Sequence, residues 1–182
     1  MKTIRRLYFY AVAFIGVEVV LWGIIGLLRS IFKVQDVGSS SSNLAQSLAL
    51  ILVGLPIFLI HWLVAQKAAE KDPEEHTSTL RALFLYGILL STLVASAQNL
   101  LAFANRSLLQ VAQLSSRLAV TGGTQSWVDN LIAILANLAV GAYFYTVLRA
   151  DRRELPDIEQ FDEVRRLYRI VWVGYGLILI IF

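Results

Sequence analysis

The sequence predicts an all-α fold, a polytopic integral membrane bundle of four full transmembrane helices followed by a fifth, shorter helix. Three observations lead there. Hydrophobic residues make up 57% of the 182, and mean hydropathy is +0.65. Charged residues make up 16%, against about 25% in an average soluble domain, which is too few to cover a globular surface. The apolar residues also fall in blocks, several of which reach the roughly 18 to 25 residues a bilayer crossing needs. This composition excludes a soluble enzyme domain, a disordered chain and a disulfide scaffold. With no cysteine in the chain, thiolate metal sites, iron–sulfur clusters and cysteine nucleophiles are excluded as well.

The first span, about residues 7–28, follows the basic start Lys2-Thr3-Ile4-Arg5-Arg6 and is closed by Arg29 and Lys33. A signal peptide shares such a start, but its apolar core is only about 7 to 15 residues and ends at a small-residue cleavage site, so this block is read as a retained span. The second span, about 44–66, follows the run Gly38-Ser39-Ser40-Ser41-Ser42-Asn43. That run is expected to be a flexible connector, with Asn43 and Gln46 forming a cap. Pro56 falls mid-span, where it removes a donor and frees the carbonyl of Leu52, so a kink is expected. For the third helix, Asp72-Pro73-Glu74-Glu75 reads as an N-cap, a first-turn proline and a capping box. This helix is expected to start in water and to cross the membrane over about 82–104.

Beyond Arg106, Leu108, Leu109, Val111 and Leu114 interleave with Gln110, Gln113 and Ser115, as a helical extension or an interfacial segment would. Gly122-Gly123 should end it. Ser126 then caps a fourth span, about 127–148, closed by Arg149, Arg152 and Arg153. A polar stretch through Leu155-Pro156-Asp157 leads to Leu167–Phe182, whose 16 residues reach about 24 Å, short of the roughly 30 Å hydrocarbon core. A carboxylate at that depth is costly, so Phe182 is read as a cut and not as a natural stop. Residues 1–150 are thus one four-helix module, and 151–182 a cytoplasmic linker plus the first helix of a second module.

The 16 basic residues set the orientation. With the N-terminus inside, twelve lie on cytoplasmic segments (Lys2, Arg5, Arg6, Lys67, Lys71, Arg81, Arg149, Arg152, Arg153, Arg165, Arg166, Arg169) and four outside (Arg29, Lys33, Arg106, Arg117). That is a strong positive-inside bias. It also explains the net charge of +3 and pI near 9.3 without nucleic acid. Tyr8, Tyr10, Trp62, Tyr86, Tyr143, Tyr145 and Tyr168 fall near the same, inner ends, where amphipathic rings favour the interface. The expected location is a bacterial cytoplasmic (inner) membrane.

At an offset of 160, Arg5-Arg6-Leu7-Tyr8 aligns with Arg165-Arg166-Leu167-Tyr168, and Gly16 with Gly176. This reads as an internal repeat, although two basic-then-aromatic helix starts can also match by composition alone. The opening Ile4-Arg5-Arg6-Leu7-Tyr8, the run Leu50-Ile51-Leu52-Val53-Gly54-Leu55-Pro56 with Phe58, His61 and Trp62, and Leu80-Arg81-Ala82-Leu83-Phe84-Leu85-Tyr86 resemble a bacterial domain-of-unknown-function family of four-helix membrane modules, often tandem. The resemblance covers roughly residues 4 to 150 and recurs at 164. It implies the architecture and the tandem arrangement, and it assigns no site residues.

Few residues could support chemistry. Glu18 is the one acid deep in a span, about 16 Å from the inner boundary, where an ionised carboxylate costs at least a few kcal/mol. It is expected to be neutral or paired, with Asn137, at nearly the same depth in the fourth span, as its hydrogen-bond partner. It serves either as a register-fixing polar contact or as part of a proton or cation relay. Asn99, with Gln98, Asn105, Ser91 and Ser96, could line a polar vestibule or bridge helices. His61 could be a single axial ligand to a pigment, or an interfacial histidine bonding water or a carbonyl, which is the commoner case. Asp162 and Arg166 stand at i, i+4 spacing on a solvated helix. There is no phosphate-binding glycine loop, nucleophile elbow, paired-carboxylate site or zinc spacing, so no catalytic residue, metal or cofactor is expected.

The reading is a non-enzymatic membrane protein, an accessory or scaffold subunit that packs against lipid and other membrane subunits or itself. Gly16, Gly26, Gly54, Gly87 and Gly141 would permit close helix approach. The alternative is a small proton- or ion-coupled transporter or channel component that uses Glu18.

Overall fold

Helices account for nearly every described residue because the backbone of a chain this apolar must satisfy its own hydrogen bonds. A computed structural model describes residues 2–32, 37–114, 126–154 and 159–181. Among them there is no strand, and the elements are α1 (Lys2–Phe32), α2 (Val37–Lys71), α3 (Pro73–His76), α4 (Thr79–Val111), α5 (Trp127–Glu154) and α6 (Glu159–Ile181). Four segments are long and apolar enough to cross a membrane: Thr3–Phe32, Ser42–Lys71, Pro73–Val111 and Trp127–Glu154. The features expected at Lys33, Ser115, Arg117, Gly122-Gly123, Leu155-Pro156-Asp157 and Phe182 lie outside the described residues.

Helix boundaries differ from expectation in two places. The Gly38-to-Asn43 run is not a connector but part of α2, and Asn43 caps nothing; its carbonyl accepts from Ser47 Oγ at 2.7 Å inside the helix. Serine carries only a modest helix penalty, and continuing the helix satisfies backbone groups that a loop would leave to solvent. The third helix begins twice. Asp72 is the predicted N-cap, accepting from the Glu74 amide at 3.0 Å, with Pro73 in the first turn. The four-residue α3 then ends, and Ser78 caps α4 by accepting from the Arg81 amide. Glu75 completes no capping box because Arg6 takes its carboxylate. The fourth start follows the sequence: Ser126 and Asp129 cap each other reciprocally, at 2.8 and 3.1 Å. α4 continues as helix to Val111, and Gln113 at φ 54 turns the chain out of it.

α1 and α2 form an antiparallel hairpin, and α4 and α5 another. In the first, Gly16 lies against Phe58, Gly23 against Ile51 and Gly26 against Ser47. A Cβ on Gly16 would come within 3.1 Å of the Phe58 backbone, and one on Gly26 within 2.5 Å of Ser47 Oγ. This close approach is the van der Waals packing that drives helix association where lipid already solvates apolar surface. α1 also packs on α4 and α5, so it joins the two hairpins, and α6 packs on α4.

The core lies toward one end of the bundle, the end holding the start of α1 and called here the basic end. Trp62, 2% exposed, reaches from α2 between α4 and α5. It stacks on Phe84 at 5.2 Å, meets Phe144 edge-on at 5.2 Å and donates its indole N–H to Tyr143 at 2.9 Å. Tyr10 of α1 closes the cluster against Phe84. Aromatic pairs of this geometry contribute about 0.5 to 1.5 kcal/mol each beyond their burial.

Candidate functional site

Glu18 sits about midway along α1 and half-buried, and its partner is not Asn137. Ser91 of α4 lies 2.6 Å from Glu18 Oε1. Asn137, though buried, donates to the Ala133 carbonyl of its own helix at 2.8 Å. α1 presents Glu18 to α4, and in α5 it is Gly141, one turn after Asn137, that lies against Thr92 beside Ser91. Ser91 Oγ is also 3.0 Å from the Ile88 carbonyl.

The other candidates also turn inward. Asn99 donates to the Ala95 carbonyl one turn back. His61 Nδ1 is 2.7 Å from the Ile57 carbonyl and Nε2 3.4 Å from the Tyr8 hydroxyl, with the Tyr8 and Phe9 rings packed against it. Pro56 lies inside α2, which continues as one helix on both sides of it. Among the described residues, no group of three or more His, Asp or Glu is placed to hold a metal.

Sequence reasoning missed the most concentrated polar constellation, a buried ion network at the basic end. Arg81 (2% exposed) forks onto Asp151 (7% exposed), Nε to Oδ2 at 2.7 Å and Nη2 to Oδ1 at 3.1 Å. The bidentate geometry is the strong form of this pair. His76 Nε2 reaches Asp151 Oδ1 at 3.1 Å, and the guanidinium carbon of Arg81 stands 5.9 Å over the Trp62 ring. A second pair joins Arg6 Nε to Glu75 Oε2 at 2.6 Å, with Glu75 4% exposed. Arg6 and Arg81 therefore act as more than topology signals: they tie α1 to α3 and α4 to α5. The one sequence signal was Asp151, an acid set among Arg149, Arg152 and Arg153. Asp162 pairs not with Arg166 in its own helix but with Arg152 across the linker, at 3.0 Å.

Chemically this network pairs each buried acid with an arginine from another helix, an arrangement suited to fixing helices. Two openings adjoin it. A polar cleft of about 360 Å³ lies beside Arg6, Glu74 and Ser78, and a groove of about 670 Å³ lies between α5 and α6 with α4 as its floor.

No curated protein and no solved structure matches the chain. A family profile matches residues 6–135, which takes in α1 through the first turns of α5. On that match the chain belongs to the family described as a domain of unknown function, DUF5671.

Proposed function

We propose that the chain is a non-enzymatic membrane module that packs against other membrane subunits or further copies of itself, set in a bacterial cytoplasmic membrane with its N-terminus inside. The observation that carries this reading is where the intramembrane polar side chains place their hydrogen bonds. Glu18, Asn99, Asn137 and His61 are each satisfied within one helix or between two neighbours. Large apolar side chains face outward instead: Trp22 (71% exposed), Leu52 and Ile60. Lipid or a partner helix covers such surfaces. The twelve-to-four distribution of basic residues supports the orientation. The repeat of Arg5-Arg6-Leu7-Tyr8 at 165–168 supports α6 as the first helix of a second module.

A transport role is the second reading, favoured by the Glu18–Ser91 contact between α1 and α4 and by Pro56 within α2. Reconstitution of the protein and its Glu18→Gln variant into vesicles separates the two. The module reading expects no proton or ion flux from either protein. Flux that collapses on the substitution would replace it with the transport reading.

A further inference from the structure

We infer that the groove between α5 and α6 binds the phosphate headgroup of an anionic phospholipid. The inference rests on the membrane reading above. Five arginines line the groove: Arg149, Arg152 and Arg153 from α5, and Arg165 and Arg169 from α6. Among the described residues, no carboxylate lines it, and Arg152 alone of the five is paired, with the exposed Asp162. Four guanidinium groups therefore face one opening with no ion pair among the described residues, and the one carboxylate at its edge, Asp162, is held by Arg152. Their forked donors match phosphate oxygens bidentately.

The composition of the groove changes along its length. Its floor is α4, where Tyr86 is followed, one and two turns further into the apolar part of the helix, by Leu89 and Leu93. A free phosphate would use only the arginine end. A phospholipid uses both, with the headgroup among the arginines and the first acyl carbons along the leucines. The tyrosines at the junction, Tyr86, Tyr145 and Tyr168, are amphipathic rings at the depth where headgroup meets chain. Basic pockets between transmembrane helices at an inner interface have this anatomy. The volume of about 670 Å³ accommodates a headgroup with its glycerol, leaving the chains to run out between helices.

The test uses the full chain in neutral detergent, with native mass spectrometry to read lipid retention from dioleoylphosphatidylglycerol and from dioleoylphosphatidylcholine. Retention should favour phosphatidylglycerol. Arg149→Gln with Arg165→Gln and Arg169→Gln should lower its affinity about fivefold per charge removed. Removing as many charges outside the groove, with Arg5→Gln, Lys67→Gln and Arg166→Gln, should leave it within a factor of two or so. If the triple groove variant does not fold, Leu93→Phe keeps every charge and narrows the apolar part, and it should still cut lipid retention severalfold. Equal retention of the two lipids, or equal loss in the groove and control variants, overturns the inference. Full displacement by millimolar inorganic phosphate makes the groove a soluble-anion site and overturns it too. A chain that stays in solution without detergent would instead defeat the membrane reading itself.

Discussion

At the basic end, Arg81 and Asp151 are both buried and grip each other through two hydrogen bonds, with His76 and Trp62 against them. At the opposite end, Arg29 reaches from α1 to α5 but bonds the backbone carbonyl of Asp129 at 3.1 and 3.3 Å, its carboxylate contact being 3.9 Å. The Asp129 carboxylate is engaged by the Ser126 cap. Beside it Asn130, fully buried, leaves both amide atoms without a hydrogen bond among the described residues. Among the described residues, one end is thus held by charge pairs whose partners come from different helices, while at the other Arg29 reaches across to a local cap. Removing a partner from a buried pair strands a charge, whereas removing a partly exposed donor exposes a carbonyl to water. The same residue types therefore have unequal structural weight at the two ends.

The sharpest break is Asp151→Asn, which strands the Arg81 guanidinium and should cost about 3 to 5 kcal/mol. Thermal unfolding in detergent, followed by circular dichroism, would show it as a large drop in Tm. Arg81→Met combined with Asp151→Leu removes both charges and should recover most of the loss; a double variant as unstable as the single one would mean that the pair is not the unit that matters. At the other end Asn130→Leu should stabilise by about 1 to 3 kcal/mol, because an apolar side chain of similar shape removes two unsatisfied polar atoms. A loss of stability there would reveal a partner for the amide. Arg29→Gln should have the smallest effect, a loss of about 1 kcal/mol. A loss matching that of Asp151→Asn would erase the distinction between the ends.

The spans were legible because apolar length is one-dimensional information, and the bilayer reads it the same way. The glycines expected to permit close approach do so at Gly16, Gly26, Gly54 and Gly141, while at Gly87 a Cβ would make only an ordinary contact. The Glu18 partner shows where that kind of reading stops. Counting residues gives height along a helix but not the direction in which a side chain leaves it, so it does not tell that α1 presents Glu18 to Ser91 of α4 and not to Asn137. The ion network stayed hidden for a related reason. A charge near the end of a span looks the same in sequence whether water or another helix receives it, and Arg81 and Glu75 were counted as surface features. The start of α2 was misread because serine and glycine are compatible with both connector and helix, and the run carries no proline to decide it.

The order of residues in the Arg81–Asp151 pair also has a consequence in time. Arg81 leaves the ribosome seventy residues before Asp151, so the third span enters the membrane with a guanidinium whose counter-charge has not yet been made. Until the last turns of α5 are made, that side chain lacks the bidentate partner it has in the finished bundle. A chain interrupted anywhere before Asp151 therefore keeps Arg81 without the carboxylate that pairs it in the finished bundle, and a guanidinium left so is costly to bury.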